Sequence, residues 1–203
     1  ALANAIEGEV RSGYHDRMLY ATDASSYQIE PLGVVVPANA SDVVKAARLA
    51  SDHGLPILPR GGGTSLAGQC VNRALVIDTS AWMTAIRSID AKAKRCTVEP
   101  GITIDDLNAA IADTGLFFAP DPSTARQANV GGSIGNNAAG SRSVLYGRMV
   151  ESVEAIEACL ADGTITRFEA GARDPAARAI AERVIEVVKA HRSLIRERFP
   201  KTP

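Results

Sequence analysis

The chain has 203 residues, 46% of them hydrophobic and 22% charged, with a formal net charge of −1. That length suits one domain or two small ones burying roughly 70% of the unfolded surface. The near-neutral balance excludes a global attraction to nucleic acid or an anionic membrane, so any anionic ligand has to be held locally.

No stretch approaches the run of apolar residues that a membrane helix needs, and the opening ALANAIEGEVRSGYHD has charges where a signal peptide has its apolar core. Cys70, Cys96 and Cys159 form no CxxC pair and read as buried, reduced thiols. A cytoplasmic protein is the expectation.

In chain order, residues 1–30 are polar, with IEGEVRS expected to open a short helix. Gly33 to Pro37 (GVVVP) is a β-branched strand stopped by proline. NASDVVKAARLASDHG follows as a helix, with Ser41 as N-cap and Gly54 at its C-terminal end. LPILP is a second strand and Ala74 to Ser80 a third, and this β-α-β order implies a parallel pair joined by a crossover helix. IRSIDAKAKRCTVEPG reads as a hairpin turning at Asp90 to Lys94, and TIDDLNAAIADTG as a helix from its Thr103 cap to Gly115. From Leu116 to Gly147 the chain is rich in Gly, Asn, Ser and Pro, a length of loop that is usually functional. A hairpin around Asp162-Gly163 comes next. Last is an amphipathic helix from about Pro175 to Phe199, with Ile180, Val184, Val187, Val188, Leu194 and Ile195 toward one side.

The second strand runs into PRGGGTSLAGQ, three consecutive glycines with almost no reactive side chain. Glycine in an ordered segment costs roughly 0.5–1 kcal/mol relative to alanine, so a tight turn or close approach to a ligand should offset it. Gly63 and Gly68 have P-loop spacing, but Gln69 and Cys70 stand where that chemistry needs Lys and Ser or Thr. The dinucleotide fingerprint fails at Leu66. What is left is a strand-ending loop whose amides can curl around an anion, or a plain glycine-rich turn. A second glycine-rich segment, APDPSTARQANVGGSIGNNAAGSRS, makes the pair suited to a long ligand with a diphosphate and a polar planar ring.

PRGGGTSLAG, PDPSTARQANVGGSIGNNAAGSRS and ADGTI, in this order, resemble the FAD-linked oxidases of the vanillyl-alcohol oxidase and p-cresol methylhydroxylase type. Within that family the chain is most similar to the FAD-binding part of D-lactate, glycolate and D-2-hydroxyglutarate dehydrogenases, and FFAPDPSTARQANVGGSIGNNAAGSRS to the large D-2-hydroxyglutarate dehydrogenase-like proteins with an added iron–sulfur domain. The likeness covers roughly residues 25–170. It implies an α+β fold with a lead-in over 1–30, a small parallel β-α-β subdomain over 31–80 and a mixed or antiparallel sheet subdomain over 81–170. A connector helix over 171–203 completes it.

The resemblance further implies that Arg60, Gly61, Gly62, Gly63, Thr64 and Ser65 cradle the FAD pyrophosphate, with Pro59 and Gly68 fixing the ends. The other reading of Arg60 is a solvated surface arginine. Asp121, Ser123 and Thr124 match the segment near the isoalloxazine and ribityl portions. Gly131, Gly132, Gly135, Asn136, Gly140 and Ser141 match the loop returning to pyrophosphate and ring. Asn137 and Arg142 are divided between structural hydrogen bonding and flavin contact, and Tyr146 reads as a packed aromatic. The two loops are expected to face one another across a groove.

Where some relatives attach FAD through a histidine after the glycines, this chain has Thr64, so non-covalent FAD is expected. No residue presents itself as a catalytic acid, base or metal ligand. Glu99 closes a strand, and Asp105 and Asp106 suit a helix's first turn.

The implied activity is oxidation of a 2-hydroxy acid to a 2-oxo acid by hydride transfer to flavin. Two alternatives stand beside it. One is the related reductase of cell-wall sugar-nucleotide synthesis; the other is a non-catalytic flavin- or nucleotide-binding module of a larger complex. Relatives complete the FAD domain with a later segment reading like GSEGTLG, which is not found here. The 203 residues are therefore expected to be an inactive FAD-binding portion that holds FAD weakly and self-associates through exposed apolar surface. Peripheral membrane association is an option for the whole protein.

Overall fold

The computed structural model describes residues 2–171 and 173–201. It contains two compact units, one of residues up to 153 together with 159–164, the other of residues 154–158 together with those from 165 on.

The first unit opens with β1 (Glu9–Arg11) and α1 (Tyr14–Leu19), then β2 (Gly33–Val36), α2 (Ala40–Asp52), β3 (Ile57–Arg60) and β4 (Leu75–Asp78). The four strands make one sheet in the order β1-β2-β4-β3. β1 runs antiparallel to β2, and the other pairings are parallel. The crossover expected from the sequence is present, and β4 lies between the two strands that α2 connects. All four residues of β2 and of β4 are buried, as central strands of a covered parallel sheet must be.

The period-two alternation sends Val35 and Ile77 to one face, where Leu2 and the α2 residues Ala46 and Ala50 cover them. Val34, Val36 and Val76 go to the other, against Tyr20 and Leu58. The α2 cap is Asn39, whose side chain accepts from the Asp42 amide, so the helix starts before the expected Ser41. Gly54, just past its end, has φ +61°, the left-handed conformation that glycine adopts without penalty.

The expected helix at IEGEVRS is the strand β1. Its approach to β2 is pinned by the buried carboxylate of Asp42, which accepts from the amides of Gly8 (2.8 Å), Glu7 (3.1 Å) and Ala38 (3.1 Å). Periodicity over a few residues could not anticipate a partner 34 positions away.

β5 (Ile86–Asp90) and β6 (Arg95–Val98) form an antiparallel hairpin. Cys96 on β6 is exposed and Cys70 and Cys159 are only partly buried, against the expectation of three buried thiols. α3 (Ile104–Ile111) is capped by Thr103, whose Oγ1 accepts from the Asp106 amide at 3.0 Å. The long Gly/Asn segment contains two short helices, α4 (Val130–Gly135) and α5 (Ser143–Tyr146). A second core of Ile102, Ile104, Leu107, Ile111, Val130 and Met149 holds α3 and α4 together. β7 (Ala155–Cys159) and β8 (Ile165–Glu169) pair as a second two-stranded ribbon, so the residues after 80 carry the two hairpins expected from the sequence.

The second unit ends in α6 (Pro175–Ala190) and α7 (Arg192–Arg198), two helices broken at His191 where one was expected. Asp174 caps α6 by accepting from the Ala176 and Ala177 amides, with Pro175 in the first turn. Val184, Ile185, Val187, Val188 and Leu194 are each about half exposed.

Candidate functional site

β3 leads directly into the glycine loop. Its last residue, Arg60, pairs with Asp78 of β4 and turns its guanidinium inward. Nη1 donates to the carbonyls of Cys70 (2.9 Å) and Tyr20 (3.2 Å), and Nη2 to that of Thr22 (2.8 Å). The same group lies 5.2 Å from the centroid of the Tyr20 ring. Arg60 is therefore neither a surface arginine nor a free cation beside the loop; it ties the loop's two ends to the segment after α1. Tyr20 in turn donates its hydroxyl to Asp78 at 2.7 Å. Burial, with that hydrogen bond behind it, pushes the Tyr20 phenol up to about 12. Asp23 completes the frame by accepting from the Cys70 amide at 3.2 Å. Burial raises its carboxyl, but hydrogen bonds from Ser25 and Cys70 and the charge of Arg60 outweigh that and hold it below its ordinary value.

Within this frame Gly63 and Gly68 take φ values of +66° and +77°, conformations that favour glycine. Gly61 and Gly62 are required for a different reason. A Cβ on Gly61 would stand 2.5 Å from Asn129 Oδ1, and one on Gly62 would fall onto the carbonyl of Gln127. The first glycine loop thus packs directly on the second segment at this point, where an open groove was expected. Among the described residues, the backbone amides of Gly62, Gly63, Thr64 and Ser65 donate to no protein acceptor. The Ser65 hydroxyl accepts weakly from Cys70 Sγ at 3.5 Å. Pro59, on exposed β3 backbone opposite Ile77, sets the loop's entry.

The second segment folds back on itself. Gly140 lies against the Asp121 backbone so closely that a Cβ there would overlap the Asp121 carbonyl. Asp121 accepts from the Arg142 amide at 3.1 Å and the Ser141 hydroxyl at 3.4 Å, and pairs with Arg142 Nε at 3.3 Å. Arg142 also sits 5.3 Å over the Phe117 ring, which meets Tyr146 edge-on. Thr124 turns the chain, its carbonyl accepting from the Gln127 and Ala128 amides, while Ser123 stays exposed. Asn137, at φ +47°, accepts from the Val150 amide, and Asn136 donates to the Gly132 carbonyl. Gly131 abuts Pro100. Gly132 and Gly135 differ from all of these, because a Cβ on either would meet nothing and neither has positive φ. The protein's own packing does not require glycine at these two positions of α4.

Two of the three carboxylates weighed from sequence, Glu99 and Asp106, have structural partners. Glu99 accepts from the Ala85 amide and pairs with Arg87, and Asp106 accepts from Thr103. Among the described residues no cluster of three His, Cys, Asp or Glu side chains is placed to hold a metal. Sequence reasoning missed Gln127 and Asn129, which join the two segments, and Tyr20 and Asp78 beneath the loop. Asn129 carried a weak signal, a polar residue immediately before an apolar residue and two glycines.

A profile described as FAD binding domain matches residues 31–169. The chain belongs to this FAD binding domain family. Its relatives include the D-2-hydroxyglutarate dehydrogenase of Pantoea ananatis, 36% identical over 98% of this chain and 21% of that protein. Glycolate oxidase subunit GlcD of Bacillus subtilis is 35% identical over 74% of this chain and 33% of the subunit. The chain therefore spans between about a fifth and a third of the length of these relatives. Among solved structures, 6-hydroxy-D-nicotine oxidase from Arthrobacter nicotinovorans superimposes with a TM-score of 0.71 at 25% identity, over 83% of this chain and 37% of that one. The fold is the α+β arrangement of FAD-linked oxidases, and FAD is the cofactor of the family. No helix among the described residues is long and apolar enough to cross a membrane.

Proposed function

We propose that the chain is the FAD-holding portion of a flavin-dependent dehydrogenase that oxidises a 2-hydroxy acid of the D-lactate, glycolate or D-2-hydroxyglutarate kind. The observation that carries the reading is the row of unpaired amides from Gly62 to Ser65 on a loop clamped at both ends. Oriented amides with no acceptor of their own suit a diphosphate, and a near-neutral chain needs no lysines for the task. Gly132 and Gly135 support the same reading, since glycine without a packing reason is what close ligand approach selects.

In this assignment Gly62, Gly63, Thr64 and Ser65 hold the diphosphate, with Pro59, Gly61 and Gly68 shaping the loop and Arg60 anchoring it. Gly131, Gly132, Gly135, Asn136, Gly140 and Ser141 line the flavin side, together with Asp121, Ser123 and Thr124. When bound, the flavin supplies the two-electron acceptor that no side chain offers. The protein's part is to position it and limit water.

FAD is held without a covalent bond, because Thr64 follows the glycines where a histidine would be needed; acid precipitation should release all the flavin, and colour left in the pellet would refute this. Several loop residues, Gly62, Leu66, Ser123, Gly132 and Asn136 among them, are exposed, so the enclosure that sets affinity is slight and the 203 residues bind FAD weakly. Self-association through the half-exposed apolar residues of α6 and α7 is part of the proposal, and sedimentation at two concentrations checks it. The function itself is tested by adding D-lactate, glycolate or D-2-hydroxyglutarate to the full-length FAD-loaded protein. Bleaching of the flavin absorbance supports a dehydrogenase; a stable oxidised spectrum with all 2-hydroxy acids supports a binding module.

A further inference from the structure

Asn129 holds a buried oxygen without a partner. The residue is 4% exposed, and its Nδ2 donates to the Gly101 carbonyl at 2.5 Å. That bond fixes the carboxamide's orientation, because a flipped amide would set two oxygens against each other. Oδ1 therefore faces the glycine turn, 2.5 Å and 3.5 Å from the places where Cβ atoms of Gly61 and Gly62 would stand. Among the described residues nothing donates to it. Asn129 stands at the N-cap of α4, yet its side chain makes no capping bond. A buried acceptor left unmet is uncommon and costly, and the Gly61–Gly62 turn lies against it here.

We infer that Asn129 is a positioning residue of the FAD site, whose Oδ1 accepts the Gly61 amide when a diphosphate occupies the loop. The inference rests on the reading of that loop as a diphosphate cradle. A ligand moves a turn only as far as it interacts differently with the two arrangements. Here the diphosphate draws the amides from Gly62 to Ser65 outward, and the rotation that aims them at the anion brings a turn amide onto Asn129. The hydrogen bond to Asn129 then belongs to the bound arrangement alone and adds to the affinity for diphosphate, not for the flavin ring.

The test compares FAD, ADP and riboflavin binding to the 203-residue chain and to its Asn129→Ala variant. ADP carries the diphosphate without the ring, and riboflavin the ring without the diphosphate. Asn129→Ala should weaken FAD and ADP by about tenfold, the value of one hydrogen bond, and leave riboflavin within about twofold. Asn108→Ala is the control. It loses a comparable bond, from the Phe118 amide at 2.7 Å, and should lower thermal stability without separating ADP from riboflavin. If Asn129→Ala does not fold, amide exchange on the unsubstituted chain decides, and ADP should slow exchange at Gly61, whose amide is outside the set assigned to the diphosphate. Unchanged ADP affinity in a folded variant, equal losses for all three ligands, or no slowing at the turn would overturn the role of Asn129. An unsubstituted chain that binds neither FAD nor ADP would instead overturn the cradle beneath it.

Discussion

Gly62 and Gly132 both belong to the proposed FAD site, yet the fold needs only the first. A side chain on Gly62 would strike the Gln127 carbonyl, so Gly62→Val should lower the thermal midpoint as well as abolish FAD binding. Nothing in PRGGGTSLAG itself signals that cost, because the sequence does not show that Gln127 lies against Gly62. Gly132 sits in a helix with open space around it. Gly132→Ala should therefore raise stability by roughly 0.5–1 kcal/mol and weaken FAD, a pairing of effects that calorimetry and a flavin titration detect together. Higher stability with undiminished FAD affinity would remove Gly132 from the site. Arg60 gives a third case. Arg60→Ala strips three carbonyls of their donor and should cost on the order of 1–3 kcal/mol in chemical denaturation. Tyr20 belongs to the same frame, and its raised phenol favours the folded state below the ordinary tyrosine value near 10, an advantage lost as pH rises through about 12. Ultraviolet titration should show a late tyrosinate phase that Tyr20→Phe lacks.

At the level of elements, much of the order was legible because short β-branched runs, caps and turn glycines act locally. β2 to β4, α2, the two hairpins and α3 follow from Gly33 to Val36, Gly54, Asp162-Gly163 and Thr103 acting within a few residues of themselves. What escaped is set at a distance. β1 depends on Asp42 reaching the Glu7 and Gly8 amides, the place of β4 on whole-sheet packing, and α4 on a core contact through Val130 that outweighs three glycines. The glycine loops were legible as ligand-seeking, whereas their joint through Gln127 and Asn129 was not, because neither residue type signals a contact partner. The Asp42 strap can be tested by pH. Burial alone would raise its carboxyl, but the amides of Glu7, Ala38 and Gly8, with Lys45, hold it below the usual value. A lowered carboxyl contributes stability above about pH 4 that is lost as pH falls through its folded value. Asp42→Asn should thus be less stable at neutral pH, and its stability should fall less on acidification than that of the unsubstituted chain.

For the molecule as a whole, two glycine-rich segments far apart in sequence meet in one unit and leave a row of amides unpaired, which the proposed cradle offers to the family's cofactor. Those amides, with the Arg60 guanidinium packed beside Gly63, are the local source of positive potential for an anion there. Amide chemical shifts of the 15N-labelled chain on titration with FAD and ADP measure this most directly. The account predicts that both ligands shift the amides of Gly62, Gly63, Thr64 and Ser65 first and most, whereas riboflavin leaves them in place. Saturable FAD binding that moves other amides and leaves these four unchanged would contradict it.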